Sequence, residues 1–197
     1  MKLERVYREI LYELLDSKKK GVLFKQIDLS KKCELSISTV NYALLPLKNI
    51  NIIEKKPFGF KVIAPKKLLL YWASIRKLSK EIVYQTFVNE KINKIEGLIP
   101  QRSVPTAYSA FKMEFKKIPS EYSEVIVYGE RGDFENRFGK ENKKMKPNLI
   151  VLSLDENLLK FKIAPIAQIY VDLWNLGTWY AEEFRKKLEE IIDGILE

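Results

Sequence analysis

The chain has no histidine and a single cysteine, Cys33, among its 197 residues. A histidine base, or a nucleophile activated by one, is therefore impossible. Zinc sites need clusters of Cys and His, which excludes zinc fingers and zinc hydrolases. One cysteine cannot close an internal disulfide, so the sequence suits a reducing compartment. Cys33 reads as a small core residue rather than a reactive thiol. Long apolar runs are also missing. The longest, Leu68 to Ala73, is far too short to span a bilayer. The N-terminus, Met1-Lys2-Leu3-Glu4-Arg5, alternates charge where a signal peptide carries an apolar stretch. There is no Walker loop and no G-x-G-x-x-G phosphate cradle. The expectation is a cytoplasmic protein with no membrane association, no cofactor and no metal.

What is present is apolar residues at 46%, enough for a real core, and a formal charge of +9. That charge is unevenly spread along the chain. Residues 1–80 hold 18 Lys+Arg against 7 Asp+Glu, whereas residues 81–197 hold 17 against 19. Such asymmetry suggests a basic module that meets a polyanion, followed by a near-neutral body.

Residues 3–15 place Leu3, Val6, Tyr7, Ile10, Leu11, Leu14 and Leu15 at amphipathic-helix spacing. Gly21 marks a stop or turn. The stretch from Phe24 to Cys33 reads as a short helix, followed by a tight turn. A third helix opens with Ser36, or alternatively Ser38, as its N-cap. Ile37, Val40, Leu44 and Leu47 fall on one face of it, leaving Ser38, Thr39, Asn41, Tyr42 and Leu45 outward. Pro57-Phe58-Gly59 then turns between an incoming segment, Ile50 to Lys56, and a return strand, Phe60 to Ile63. The segment from Leu29 to Leu44 resembles the helix-turn-helix of winged-helix transcription regulators, with Ser-x-x-Thr-Val opening the recognition helix. Two positions depart from that pattern. Glu34 stands where glycine is common and requires a positive φ. Pro46 falls late in the recognition helix, which predicts an end or kink near Tyr42–Leu45.

Lys66 to Lys80 reads as a helix. Ile82 to Val88 reads as a strand, with helix as the alternative. Asn89 to Gly97 is helical, and Pro105 to Met113 is a helix with proline in its first turn. Glu124 to Tyr128 and Leu149 to Leu154 are strands. The polar stretch 131–148 reads as a long loop or weak hairpin. Pro165 opens a helix that Gly177 stops. Thr178 caps a last helix striped by Tyr180, Phe184, Leu188, Ile191 and Ile195. The predicted fold class is α+β: a winged helix-turn-helix domain at 1–64, a connecting helix at 65–81, and a small mixed α/β domain at 82–197 ending in two helices.

In the last third, Pro165, Gln168, Tyr170, Asp172, Leu173, Gly177, Ala181 and Glu182 form a pattern that resembles the C-terminal signature of AbiEi-type proteins. These are antitoxins of type IV toxin–antitoxin systems and include stand-alone archaeal regulators. The resemblance implies an N-terminal domain that binds DNA and represses its own promoter. It also implies a C-terminal domain that neutralises a cognate toxin. Read from the residues themselves, Gln168 and Asp172 lie at i and i+4 on one helical face. They suit hydrogen bonds that fix the domain better than contacts to a partner.

The expected function is a sequence-specific DNA-binding regulator acting as a homodimer on double-stranded DNA. Its interface residues are Ser36, Ser38, Thr39, Asn41, Tyr42 and Lys48 of the recognition helix, with Lys55, Lys56 and Lys61 of the wing. One alternative is a non-catalytic module for protein or RNA, with Tyr42 and Phe58 as exposed aromatics. The least favoured is a degenerate nucleotidyltransferase. The helix start Ser103-Val104-Pro105-Thr106 lacks its glycine, and the strand Glu124 to Tyr128 lacks a second carboxylate for Mg²⁺.

Overall fold

A computed structural model describes residues 2–142 and 144–197. Met1 of the expected 1–64 domain and Lys143 of the expected 131–148 segment lie outside the described residues. In chain order the first elements are α1 (Lys2–Leu15), α2 (Gln26–Cys33), α3 (Ile37–Asn49), β1 (Ile53–Lys56), β2 (Gly59–Val62) and α4 (Pro65–Ile75). A 3-10 turn, Leu78–Glu81, leads to β3 (Ile82–Thr86), α5 (Ile92–Leu98), β4 (Val104–Pro105), α6 (Ala107–Phe115) and β5 (Val125–Gly129). Then come α7 (Arg131–Phe138), β6 (Leu149–Ser153), α8 (Ile166–Trp174) and α9 (Trp179–Leu196). The fold is mixed α+β, with nine α-helices and two small sheets among the described residues.

The chain divides into two compact units. One comprises Met1–Arg76, Pro165–Val171 and Glu189–Glu197, the other Lys77–Ala164 and Asp172–Leu188. Neither expected boundary, at 64 or at 81, coincides with this division: α4 folds with the first unit, and so do parts of the two last helices.

In the first unit, α1 buries Val6, Tyr7, Ile10, Leu11 and Leu15, its periodic stripe. The Tyr7 hydroxyl donates to the Ala43 carbonyl of α3 at 3.1 Å. Glu4 accepts from the Trp72 indole N–H of α4 at 3.0 Å and from the buried Arg76 guanidinium. Glu34 ends α2 in the left-handed conformation, φ +56°, which lets its N–H and that of Leu35 reach the orphan carbonyls of Lys31 and Ser30. Cys33 is fully buried.

Four expectations need correction here. Phe24 is not helical: it forms an antiparallel bridge to Phe60, with 2.9 Å bonds in both directions and stacked rings. The return strand thus has a second partner, and β1 begins only at Ile53 because α3 runs on to Asn49. Pro46 does not end α3, which continues past it to Asn49. The lost bond costs about 3 kcal/mol, but Val40, Ala43, Leu44 and Leu47 are all buried, and each such aliphatic group contributes about 1.5–3 kcal/mol when fully buried. Ile37, expected in the core, is 44% exposed at the first helical position.

The second unit is built on a four-stranded sheet in the order β3-β6-β5-β4. β5 and β6 are parallel, with Val125 opposite Leu149 and Gly129 opposite Ser153; the outer pairs are antiparallel. Every residue of β5 is buried, which is why it reads as an unbroken apolar run. Tyr84, Ile95, Val125, Val127, Phe134, Leu149 and Val151 form the core on one face.

Pro105 does not open a helix. It lies in edge strand β4, where a missing N–H is tolerated, and its carbonyl accepts from Ala164 at 2.9 Å. The segment 131–148 is not simply a loop. It contains α7, anchored by Phe134, which is fully buried and stacks on Phe138. The helix read from Lys66 to Lys80 stops at Ile75. On α9 the buried residue is Ile192, not Ile191, so the stripe runs Tyr180, Phe184, Leu188, Ile192 at steps of four. The Thr178 hydroxyl does cap this helix, accepting from the Ala181 N–H at 3.3 Å.

Candidate nucleic-acid interface

The first unit carries an open cleft of about 760 Å³ between the exposed face of α3 and the β1–β2 hairpin. Its position follows from local sequence. Ser36 sits in extended conformation ahead of α3, and its hydroxyl accepts from the Thr39 N–H at 3.1 Å. That settles the N-cap as Ser36 rather than Ser38. The same hydroxyl lies 2.9 Å from Ser38 Oγ and 2.8 Å from Thr39 Oγ1. Ser36 and Thr39 are thus engaged in holding the helix start. Beyond them Ser38, Asn41 and Tyr42 are exposed, with Tyr42 at 67%.

The hairpin closes the other side. Pro57 fixes the first central position of its turn and Phe58 takes φ +67° at the second, the arrangement of a type II turn. Gly59 follows because a Cβ there would meet the Phe24 carbonyl oxygen at 2.3 Å. The register sets Lys55 opposite Phe60 and Glu54 opposite Lys61. Side chains alternate along a strand, so Lys55 shares a face with Ile53 and Phe60, while Lys61 shares the other with Glu54 and Lys56.

Of the expected interface residues, the cleft gathers Asn41, Lys48, Lys55 and Lys56. Ser38 and Tyr42 extend the same exposed helix surface outside it. Lys61 lies on the face opposite Lys55 and, unlike Lys56 on that same face, does not line the cleft. Residues absent from the expected set complete it: Lys25 and Gln26 from the start of α2, with Ile27, Ile37, Leu45 and Phe58 as exposed apolar groups. Placing Phe24 in a helix hid Lys25, which the Phe24–Phe60 bridge carries toward the hairpin.

Lys25, Lys48 and Lys55 carry no ion pair among the described residues, and Lys56 pairs only with exposed Glu54 at 2.7 Å. Some cations elsewhere in the unit are paired, while Lys18, Lys20, Lys31 and Lys61, like the cleft lysines, have no ion pair among the described residues. Lys32 meets Glu9 and Glu13, and the bond to Glu13 leads in holding its pKa above the ordinary value. Lys66 meets Asp193 at 2.8 Å and Glu189 at 3.4 Å. Arg5 lies 3.7 Å from Glu34.

Of the C-terminal motif residues, Gln168 and Asp172 are buried and hydrogen-bonded. Gln168 is buried and accepts from the Arg8 guanidinium at 3.3 Å. Asp172 is fully buried and accepts from the Thr106 hydroxyl at 2.7 Å and the Tyr128 hydroxyl at 2.6 Å. Glu182 is exposed and pairs with Arg185. Among the described residues no group of three or more His, Cys, Asp or Glu could hold a metal ion, and no helix is long and apolar enough to cross a membrane.

No family model, curated protein or solved structure matches the chain.

Proposed function

We propose that the protein is a sequence-specific DNA-binding transcriptional regulator whose first unit is a winged helix-turn-helix, with α3 as recognition helix and the β1–β2 hairpin as wing. The observation that carries this reading is the cleft itself, in which Lys25, Lys48, Lys55 and Lys56 gather beside Asn41. A cleft with cations on both walls suits one sugar-phosphate backbone, with α3 in the major groove on one side and the hairpin on the other. Asn41 and Ser38 have the donors and acceptors to read base edges, and Asn pairs best with adenine. Exposed Ile37 and Leu45 suit thymine methyl groups, which favours A·T-containing sites. The protein acts as a homodimer on a two-fold site, binds without catalysing a reaction, and represses its own promoter in the manner of the AbiEi-type regulators its C-terminal motif resembles.

The test is selection of duplexes from a random pool, followed by titration of the selected site. A defined consensus is expected, with Asn41→Ala weakening it by about 1–3 kcal/mol and relaxing preference at one position. Binding that is equally strong to every duplex, or absent, would overturn the reading.

A further inference from the structure

The tip of the hairpin carries an aromatic side chain that the fold does not require. Phe58 is 90% exposed. It makes no ring contact among the described residues, although Phe24 and Phe60 nearby stack on one another at 5.6 Å. Its backbone is left-handed, at φ +67°, a region that glycine and asparagine enter readily and a bulky residue does not. The glycine of this turn stands one position later, where the 2.3 Å approach to the Phe24 carbonyl demands it. Position 58 therefore opposes phenylalanine twice, through water exposure and through backbone conformation, and nothing among the described residues offsets either cost. An uncompensated outlier of this kind points to a surface that the side chain meets.

The neighbours indicate which surface. Pro57 stiffens the turn beneath the ring, and Lys55 and Lys56 precede it on the incoming strand. An apolar wedge flanked by cations is the combination with which proteins enter the minor groove and pry apart a base step. Resting on the DNA-binding reading above, we propose that Phe58 is such a wedge. It enters the minor groove beside the major-groove segment held by α3, partly unstacks one base step, and bends the duplex while Lys55 and Lys56 hold the flanking phosphates. Pyrimidine–purine steps, TA and CA/TG, unstack at least cost, so the step beneath the hairpin belongs to that class.

The experiment uses the full chain and a selected duplex labelled at both ends, with end-to-end energy transfer reporting the bend and a titration reporting affinity. Phe58→Gly suits the left-handed backbone and leaves the hairpin intact, which urea unfolding verifies; Phe58→Trp keeps an aromatic wedge. The wild-type protein is expected to bend the site by about 20–90°. Phe58→Gly is expected to bind with a loss of about tenfold or less, without the bend and without preference for the pyrimidine–purine step, while Phe58→Trp retains both. A straight wild-type complex, or an unchanged bend in Phe58→Gly, overturns the wedge and leaves the DNA-binding reading standing. Absence of any duplex binding overturns both. A change of self-association in Phe58→Gly with no change in DNA bend overturns the wedge in favour of a protein contact.

Discussion

At the scale of the residue, the hydrogen bonds that matter are between groups far apart in sequence. Asp172 accepts from the hydroxyls of Thr106 and Tyr128 at 2.7 and 2.6 Å, with all three side chains buried. Truncating Asp172 leaves two buried donors to find other partners, and each orphaned group costs about 1–3 kcal/mol. Asp172→Ala is therefore expected to lower unfolding stability by about 3 kcal/mol, with Asp172→Asn losing less because it keeps an acceptor. Urea unfolding of the two variants checks the order. Glu96 makes a second such site, accepting from Ser109 and Lys112 at 2.7 Å each, and from Tyr122. Burial pushes its carboxyl up, and the bonds from Lys112, Tyr122 and Ser109 outweigh that, leaving its pKa below the ordinary value. A carboxyl depressed in the folded state stabilises fully above its unfolded pKa near ~4.3 and loses that contribution as pH falls through the folded value. The melting temperature is expected to drop more steeply below about pH 4.5 in the wild type than in Glu96→Gln. A matching slope in the two proteins would contradict this. Spacing alone placed Gln168 and Asp172 on one helical face. It did not reveal Arg8, Thr106 or Tyr128 as partners, because hydrogen bonding across long sequence separations leaves no local pattern.

Elements were legible wherever periodicity and chain geometry agreed. α1, α8, α9, β5 and β6 announce themselves by a stripe or an unbroken apolar run, and Ser36 and Thr178 by their cap positions. What was missed lacks such a signal. A one-residue bridge such as Phe24–Phe60 has no period to detect. α7 buries only Phe134 within an octet that is mostly polar. Its one local clue is the i, i+4 pair with Phe138, whose ring centroid lies 6.1 Å away. Pro46 misled in the opposite direction, since its local cost is real but smaller than the burial that holds α3 together. The Phe24–Phe60 bridge also gives the element-scale prediction. A Cβ on Gly59 would meet a backbone oxygen, which cannot swing aside as a side-chain tip can. Gly59→Ala should open the bridge and shift the hairpin, at a cost of about 1–3 kcal/mol in stability. Because Lys25 and Lys55 approach the cleft from the two sides of that bridge, duplex affinity is expected to fall further than in Lys55→Ala alone. A variant that lost stability with no change in affinity would show that the hairpin's position does not matter to binding.

For the whole molecule, the contrast between a basic first part and a near-neutral remainder depends on counting along the chain. Counting by folded unit removes it. The first unit holds 16 Lys+Arg against 11 Asp+Glu, because Glu189, Glu190, Asp193 and Glu197 fold with it, and the second holds 19 against 15. Net charge therefore does not single out the first unit, and the proposal rests on the cations that the cleft gathers beside α3. Lys19, Lys32, Lys66, Arg5 and Arg76 are held by carboxylates of the same unit. The cleft keeps Lys25, Lys48, Lys55 and Lys56. The two pictures differ in a measurable way. Each neutralised phosphate contributes about −0.9 to the slope of log affinity against log salt. A reader using its whole sequence excess of 11 would approach a slope of about −10, whereas four cleft lysines give about −3.6 for each protomer engaged. One protomer on a half-site is therefore expected to show a slope of about −3.6, and a two-fold pair on a full site about twice that. Lys55→Ala combined with Lys56→Ala should reduce the half-site slope by about 1.8, while Lys61→Ala, outside the cleft, should leave it within error. If removing Lys61 changed the slope as much as removing Lys55, the backbone would run along the outer face of the hairpin and the cleft would not be where DNA sits.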